Sequence, residues 1–302
     1  MTRPITVGLD GSPQSVAAAD WAAREALSRD LPLRLVNASV WQTPVFAPAT
    51  GPGVPVPSAE VRREYARSLL DEARAHLAER HPGLRIDADE LAGEPVTALL
   101  EAGRDAELLV LGSRGLGRVA GFLLGSVSLA VLAAGERPVV LVRPGAHTGE
   151  GRRAAGGDGD TVRRDIVLGL DLRKPSGAVI GFAFEAASRS AATLRVVHGW
   201  TLPPYHYGGD LLPEVRDDMA ARVPRELSEV LAPWREKYPA VQVESQAVVG
   251  GAGAHLVDAS RDAALVVVGR RVRRSAVGAH IGPVAQALLH HATAPVAVVP
   301  HE

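Results

Sequence analysis

The chain has 302 residues, of which 46% are hydrophobic and 22% charged, and its 33 basic residues nearly balance 34 acidic ones. Such a balance gives no overall attraction to nucleic acid or to an anionic membrane, so any anion site must be local. The absence of cysteine excludes disulfides, thiolate nucleophiles and cysteine-based zinc sites. Because no apolar run approaches the roughly 18 residues of a membrane span, and no apolar signal segment opens the chain, we expect a cytoplasmic protein.

In the first half of the chain, short apolar runs alternate with longer segments of helical period. The predicted strands are Ile5–Leu9, Leu33–Ser39, Leu84–Glu90, Leu108–Leu111 and Val139–Val142, and the predicted helices are Pro13–Arg29, Ala59–His81, Val96–Gly103 and Val127–Ala134. Strands such as LLVLG and VVLV are apolar on both faces, as parallel strands covered by helices must be. The pattern predicts an α/β fold with a doubly wound sheet. Its ligands are expected at the carboxyl ends of the strands, where Asp10, Ala38 and Gly112 could meet.

The second half of the chain repeats the first. The matching segments are GLDGS (8–12) and GLDLR (169–173), LRLVNA (33–38) and LRVVHG (194–199), and RPVVLVRP (137–144) and APVAVVP (294–300). The spacing is 161 residues for the first two pairs and 157 for the third. We therefore predict two tandem domains, residues 1–145 and 164–302, joined by a flexible glycine-rich linker at 146–163.

A glycine frame follows the fourth predicted strand, in the segment ELLVLGSRGLGRVAGFLLGS at 107–126. Gly112, Gly115 and Gly125 leave backbone N–H groups accessible, and a helix beginning at Ser126 offers its N-terminus to an anion. The hydroxyl of Ser126 could serve the helix cap or a phosphate oxygen. The frame therefore predicts a phosphate cradle.

The second copy of this frame is altered. It retains Gly269 and Gly282, but Val272 replaces the second glycine and Pro283 replaces the serine. A β-branched valine disfavours positive φ, and proline offers an anion neither an N–H nor a hydroxyl. We therefore predict that the second half does not bind ATP or binds it much more weakly.

The second half contains further candidate residues. The residues that would form its weak site are Asp171, Gly199, Gly269 and Gly282. Arg270, Arg271, Arg273 and Arg274 either bind another anion or, as such runs more often do, form a solvated loop. His198 is predicted to be a packed core residue rather than a ligand.

These segments resemble the universal stress protein family: VGLDGSPQSVAAADWAAREA at 7–26, the glycine at 93, and the frame from Gly112 to Ser126. The resemblance implies two tandem domains, each a five-stranded parallel sheet in the order 3-2-1-4-5 with helices on both faces. It implies that phosphates lie against Gly112, Gly115, Gly125, Ser126 and the Val127 amide, Asp10 near the nucleoside, and the Ala38 backbone against adenine. The implied ligand is ATP, and we expect Mg²⁺ to accompany its phosphates.

The role of Asp10 separates the possible functions. Its carboxylate could accept from a ribose or help to hold a metal, or it could simply cap the turn into the first helix. Because the motif offers no water-activating base and no catalytic lysine, we expect a regulatory ATP-binding protein rather than an enzyme. A slow ATP hydrolase or nucleotide-processing enzyme using Asp10, and a nucleotide-independent interaction module, remain the alternatives.

The last strand of each copy indicates how the two halves associate. Segments 139–142 and 296–299 lie at predicted sheet edges, where unpaired backbone groups invite another strand. The resemblance implies that these edges pair antiparallel, so the two halves are expected to dock on each other within one chain. A homodimer and a further protein partner remain possible. Neither nucleic acid nor membrane is expected as a partner.

Overall fold

The computed structural model describes residues 2–38, 58–113, 125–145, 164–200, 213–272 and 281–302. Gly115, the predicted linker at 146–163, and Arg273 with Arg274 lie outside the described residues. The first half contains β1 (Ile5–Gly8), α1 (Pro13–Arg29), β2 (Leu33–Asn37), α2 (Ala59–Arg80), β3 (Ile86–Glu90), α3 (Pro95–Arg104), β4 (Leu108–Gly112), α4 (Ser126–Ala134) and β5 (Val139–Val142). The second half contains β6 (Asp165–Gly169), α5 (Gly177–Ser190), β7 (Leu194–Trp200), α6 (Pro213–Lys237), β8 (Val243–Val249), α7 (Ala252–Ala259), β9 (Ala263–Arg271), α8 (Pro283–His291) and β10 (Val296–His301).

The strands form a ten-stranded sheet in the order β3-β2-β1-β4-β5-β10-β9-β6-β7-β8. Each half therefore has the predicted 3-2-1-4-5 order, and the neighbours within each half are parallel. At the centre, β5 and β10 pair antiparallel, with Leu141 opposite Val296 and Val139 opposite Val298. This pairing confirms the prediction that the halves dock through these two segments. It also removes two exposed edges of the kind that invite aggregation.

The hydrophobic core lies on both faces of this sheet. One layer packs side chains of α1, α2, α5 and α6 against the strands, and the other packs those of α3, α4, α7 and α8. The central strand β5 is buried at all four positions, which explains why its sequence shows no polar alternation. Both layers run across the two halves, so burial of apolar surface stabilises the docked pair as well as each domain.

Local signals account for the position of α1. The Ser12 side chain accepts a hydrogen bond from the amide of Ser15 at 3.2 Å, and Pro13 takes the first helical position. The helix ends at Arg29, and its C-cap Asp30 adopts a left-handed conformation with φ of 53°. A polar N-cap followed by proline is a strong start signal. The observed bounds are those predicted from the sequence.

The start of α4 differs from the prediction in one respect. The N-cap is Gly125, with φ of −58° and ψ of 138°, and Ser126 is the first helical residue rather than the cap. Gly125 has no side chain, and within the described residues no capping side chain accepts a hydrogen bond at this N-terminus. The free N–H groups of the first turn are therefore not used by a capping side chain.

Two arginines join the halves by binding the C-terminal end of the opposite half's helix. Arg143 donates from Nη1 to the carbonyl of Ala292 at 2.6 Å and from Nη2 to that of Leu289 at 2.5 Å, at the end of α8. Arg270 donates from Nη2 to the carbonyl of Gly135, the C-cap of α4. Cations are favourable there because unsatisfied carbonyls give a helix C-terminus a partial negative charge.

The environment of Arg270 corrects the expectation of a solvated arginine loop. Arg270 lies on β9 and is only 6% exposed, and burial lowers the pKa of its guanidinium. The neighbouring Arg271 is exposed, as expected of a solvated residue, but it is the last residue of β9 rather than part of a loop. A third contact between the halves joins the helices α1 and α5, where Arg189 donates to Glu25 at 3.4 Å.

Candidate nucleotide site

A cavity of about 380 Å³ opens at the carboxyl ends of β1 and β4. Its lining includes six of the seven residues predicted for the first site: Asp10, Ala38, Gly112, Gly125, Ser126 and Val127. The seventh, Gly115, lies outside the described residues. These residues come from three separate parts of the sequence, and they meet where the strand order reverses, as ligand sites of doubly wound sheets do.

The N-terminus of α4 supplies donors to this cavity. Ser126, Val127 and Ser128 all line it, and the helix has neither a capping side chain nor an acidic residue in its first turn. Ser128 donates from its hydroxyl to the carbonyl of Gly112 at 3.3 Å, which ties the helix to the end of β4. Unsatisfied N–H groups and the helix dipole together favour an anion at this point.

Asp10 lines the cavity and also organises the turn into α1. Its Oδ1 accepts from the Ser12 amide at 3.0 Å and from the Ser12 hydroxyl at 2.5 Å, and its own amide donates to the Ser15 hydroxyl at 3.3 Å. The capping role considered for this carboxylate is therefore present. An exposed carboxylate held in this way can still accept hydrogen bonds from a ligand in the cavity.

Asn37 is a positioning residue that the sequence analysis missed. Its side chain is 1% exposed and donates to the carbonyl of Leu9 at 2.8 Å, which joins the end of β2 to the end of β1 just before Ala38. Its repeat mate His198 makes the same link, with Nδ1 2.8 Å from the carbonyl of Leu170. A polar residue at the same place in both apolar strands was the signal that could have revealed this role.

Gly112 is required by packing as well as by the cavity. A Cβ at this position would lie 2.6 Å from the backbone carbon of Gln14 and 2.7 Å from the amide of Ser15. The first turn of α1 therefore rests directly on the end of β4. Its mate Gly269 differs, because a Cβ there would meet the His301 side chain, at 2.7 Å from Nε2.

The N-terminus of α3 places a carboxylate near the first site. Glu94 caps the helix by accepting from the Thr97 amide at 2.9 Å, and its helix contributes Pro95 to the cavity lining. Hydrogen bonds from the amides of Thr97 and Val96 hold the pKa of Glu94 below its ordinary value. Its carboxylate is therefore engaged as the cap of α3, and the cavity lining includes its neighbour Pro95.

A second cavity, of about 540 Å³, occupies the equivalent place in the second half. It is lined by all four residues predicted for the weak site, Asp171, Gly199, Gly269 and Gly282. His198 also lines it and is 8% exposed, in agreement with the predicted core position. The altered glycine frame has therefore not closed this cavity, although Pro283 at the first position of α8 lacks an N–H.

Two searches of the described residues gave negative results. No cluster of three or more histidine, aspartate or glutamate side chains within them could hold a metal ion. None of their helices combines the length and the apolar composition needed to cross a membrane.

Comparison with known proteins identifies the family. The model of the universal stress protein family matches residues 1–143 and again 163–300. A universal stress protein of Mycobacterium tuberculosis is 33% identical over 307 residues, covering 97% of this chain and 95% of the relative. A universal stress protein of Mycolicibacterium smegmatis is 32% identical over 307 residues, covering 98% and 96%.

A solved structure has the same two-domain fold. The crystal structure of a universal stress protein from Archaeoglobus fulgidus DSM 4304 superimposes with a TM-score of 0.69 at 16% identity and covers 99% of this chain and 98% of that one. The repeated sequence, the ten-stranded sheet and these matches agree. The chain belongs to the universal stress protein family and carries one family domain in each half.

Proposed function

We propose that the first half binds ATP with Mg²⁺ and that the bound nucleotide acts as a conformational or assembly signal for another component. The observation that carries the proposal is the convergence of six predicted residues on one cavity at the uncapped N-terminus of α4. Membership of a family to which the sequence frame pointed independently supports it.

The residues present fit the parts of this ligand. The amides of the first turn of α4 suit phosphate oxygens, and the backbone that follows β2 at Ala38 suits the edge of an adenine, which needs a donor and an acceptor. Asp10 is the one charged side chain in the described lining of the first cavity. Mg²⁺ is commonly held by one or two carboxylates together with phosphates and water, so Asp10 is sufficient for the protein's share.

The lining of the first cavity supports ATP binding without hydrolysis. The described lining contains neither a lysine nor a histidine, and the Oδ1 of its carboxylate already accepts two hydrogen bonds from Ser12. Phosphoryl transfer relies on positioned cations and on a residue that orients the attacking water. Incubation with radiolabelled ATP tests this point: retention of one intact ATP is expected, whereas repeated turnover would favour a slow hydrolase. Failure to bind any adenine nucleotide would favour an interaction module.

Replacement of Asp10 separates its ligand role from its turn role. Asp10→Ala should weaken ATP binding by about tenfold, because the cavity loses its carboxylate. The stability of the ligand-free protein should fall by only about 1 kcal/mol, the usual cost of a lost cap. Asp171→Ala is the matched control, since Asp171 accepts from the Arg173 amide in the equivalent turn at 3.0 Å. Equal ATP affinity in both variants, measured by calorimetry, would assign Asp10 to the turn alone.

The two copies of the glycine frame predict the stoichiometry. In the presence of Mg²⁺ the intact chain should bind one ATP tightly, and Gly115→Val should abolish this binding because it imposes on the first frame the residue of the second. The reciprocal exchange at the repeat mate, Val272→Gly, is the control and should leave the first site unchanged. Calorimetry that gives two equally tight sites, or an unaffected Gly115→Val protein, would contradict the assignment of the frame.

A further inference from the structure

The described linings of the two cavities differ in charge. The described lining of the first has a single charged side chain, Asp10. The second combines one carboxylate with four cations: Asp171, Arg173, Lys174, Arg270 and Arg271. The cations come from two separate segments, the turn after β6 and the end of β9, and they converge on the same opening. A cavity whose lining has an excess of one sign of charge attracts ligands of the opposite sign.

The excess of cations results from substitutions at equivalent positions of the repeat. The pairs, first half before second, are Ser12 and Arg173, Pro13 and Lys174, Glu94 and Gly251, Ser113 and Arg270, and Arg114 and Arg271. In the first half these five positions hold one carboxylate and one arginine, and in the second they hold four cations and no carboxylate. The second half therefore has an altered glycine frame together with cationic side chains that can take over part of its function.

Most of this charge is not neutralised within the described part of the chain. Lys174 and Arg271 have no ion-pair partner among the described residues, and Arg173 lies 3.7 Å from the Asp171 carboxylate. Arg270 is 6% exposed, donates from Nη2 to the carbonyl of Gly135 and lines the cavity.

The backbone adds neutral donors, and His198 adds a ring nitrogen that accepts. None of the three helices that begin at this cavity, α5, α7 and α8, has a side-chain hydrogen bond at its N-cap. His198 must donate from Nδ1 to the Leu170 carbonyl, because a carbonyl can only accept. Its Nε2 has no partner among the described residues, and the ring lines the cavity. The second site therefore presents donors from both side chains and backbone.

We propose that the second cavity is an anion site of its own, which binds phosphate-bearing small molecules through arginine and lysine side chains without a glycine cradle or a divalent metal ion. Guanidinium groups pair with phosphate oxygens in bidentate geometry, and a lysine adds a point charge. The phosphate can belong to a free oligophosphate or to a phosphorylated metabolite, since the cations recognise the group common to both. This site does not depend on ATP binding in the first half.

Calorimetry of the full-length protein in EDTA, with tripolyphosphate and with AMP as probes, tests the proposal. Binding of at least one probe is expected, and it should weaken strongly at about 1 M salt, where the Debye length is about 3 Å. The double variant Lys174→Ala/Arg271→Ala should lower the affinity at least about tenfold, or remove one binding event. The control Lys237→Ala/Arg261→Ala removes the same charges at the opposite ends of the strands, beside β8 and β9, and should leave binding unchanged.

Each outcome has a definite meaning. Tighter binding of tripolyphosphate identifies an oligophosphate as the better occupant, and tighter binding of AMP identifies a phosphorylated metabolite, provided that the Lys174→Ala/Arg271→Ala protein shows the loss. Absence of binding by both probes to the unmodified protein overturns the proposal. It is also overturned if the cavity variant and the control variant bind alike. Thermal unfolding of both variants shows whether a loss of binding reflects a loss of fold.

Discussion

Gly112→Ala should destabilise the first half by about 3 kcal/mol, although it adds only one methyl group. The new Cβ would lie 2.6 to 2.8 Å from backbone atoms of Gln14 and Ser15, and backbone cannot move aside as a side-chain end can. Overpacking against rigid neighbours costs about 1 to 3 kcal/mol. Denaturant unfolding of the ligand-free protein measures the effect, which is expected without any nucleotide.

The repeat supplies a matched control for this prediction. Gly269→Ala places its methyl group against the side chain of His301, near the end of the chain, and this ring can shift. A change smaller than that of Gly112→Ala, about 1 kcal/mol, is expected because side chains, those of His301 and of Val179 at 3.1 Å, must yield rather than backbone. If Gly112→Ala were as stable as Gly269→Ala, the close approach of α1 to β4 would not constrain this glycine, and a ligand would be its main requirement.

Arg143→Ala should weaken the docking of the two halves and lower the free energy of unfolding by about 3 kcal/mol. The variant loses two hydrogen bonds from a charged donor, each worth about 1.5 to 3 kcal/mol, and leaves the carbonyls of Leu289 and Ala292 without this partner. Burial already lowers the pKa of Arg143, so the guanidinium is held in a desolvated place where its partners matter. Thermal unfolding should show a lower midpoint.

Two variants define the cause of this loss. Arg143→Lys should recover only part of the stability, because an ammonium group keeps the charge at the end of α8 but lacks the forked geometry that reaches both carbonyls. Arg104→Ala removes an exposed ion pair with Glu136 at 3.7 Å and should change stability by less than about 1 kcal/mol. An Arg143→Ala protein as stable as Arg104→Ala would show that the guanidinium contacts contribute little to docking.

Arg143 and Arg270 each contact the C-terminal end of a helix whose N-terminus lies at a cavity. Arg270 lines the second cavity and binds the C-cap of α4, while the other end of α4 lines the first cavity. Arg143 binds the C-terminal end of α8, whose N-terminus lines the second cavity. The helices α4 and α8 thus each begin at a cavity and end at a contact with the opposite half.

Much of the architecture was available from the sequence alone, because its causes are local or repeated. Apolar runs and capping signals predicted the strands and gave the bounds of α1 correctly, and the repeated segments predicted the same fold twice. Because ligands bind at the carboxyl ends of parallel strands, the sequence predicted that Asp10, Ala38 and Gly112 lie close together. The N-cap of α4 was misplaced by one residue, since Gly125 and Ser126 are both acceptable there.

Other properties were decided only by the tertiary structure, because they depend on contacts between segments far apart in the chain. The sequence presented Gly112 as a phosphate ligand, and only the packing of α1 against β4 shows that a side chain has no room there. It presented Arg270 as a member of a basic run, whereas the docking of the halves buries it against a carbonyl 135 residues away. Local periodicity predicts which face of a helix or strand is apolar. It does not predict which atoms of a distant segment pack against that face. The sequence by itself therefore determined the elements, the repeat and the candidate site, and the folded chain decided which glycine is needed for packing and which arginine holds the halves together.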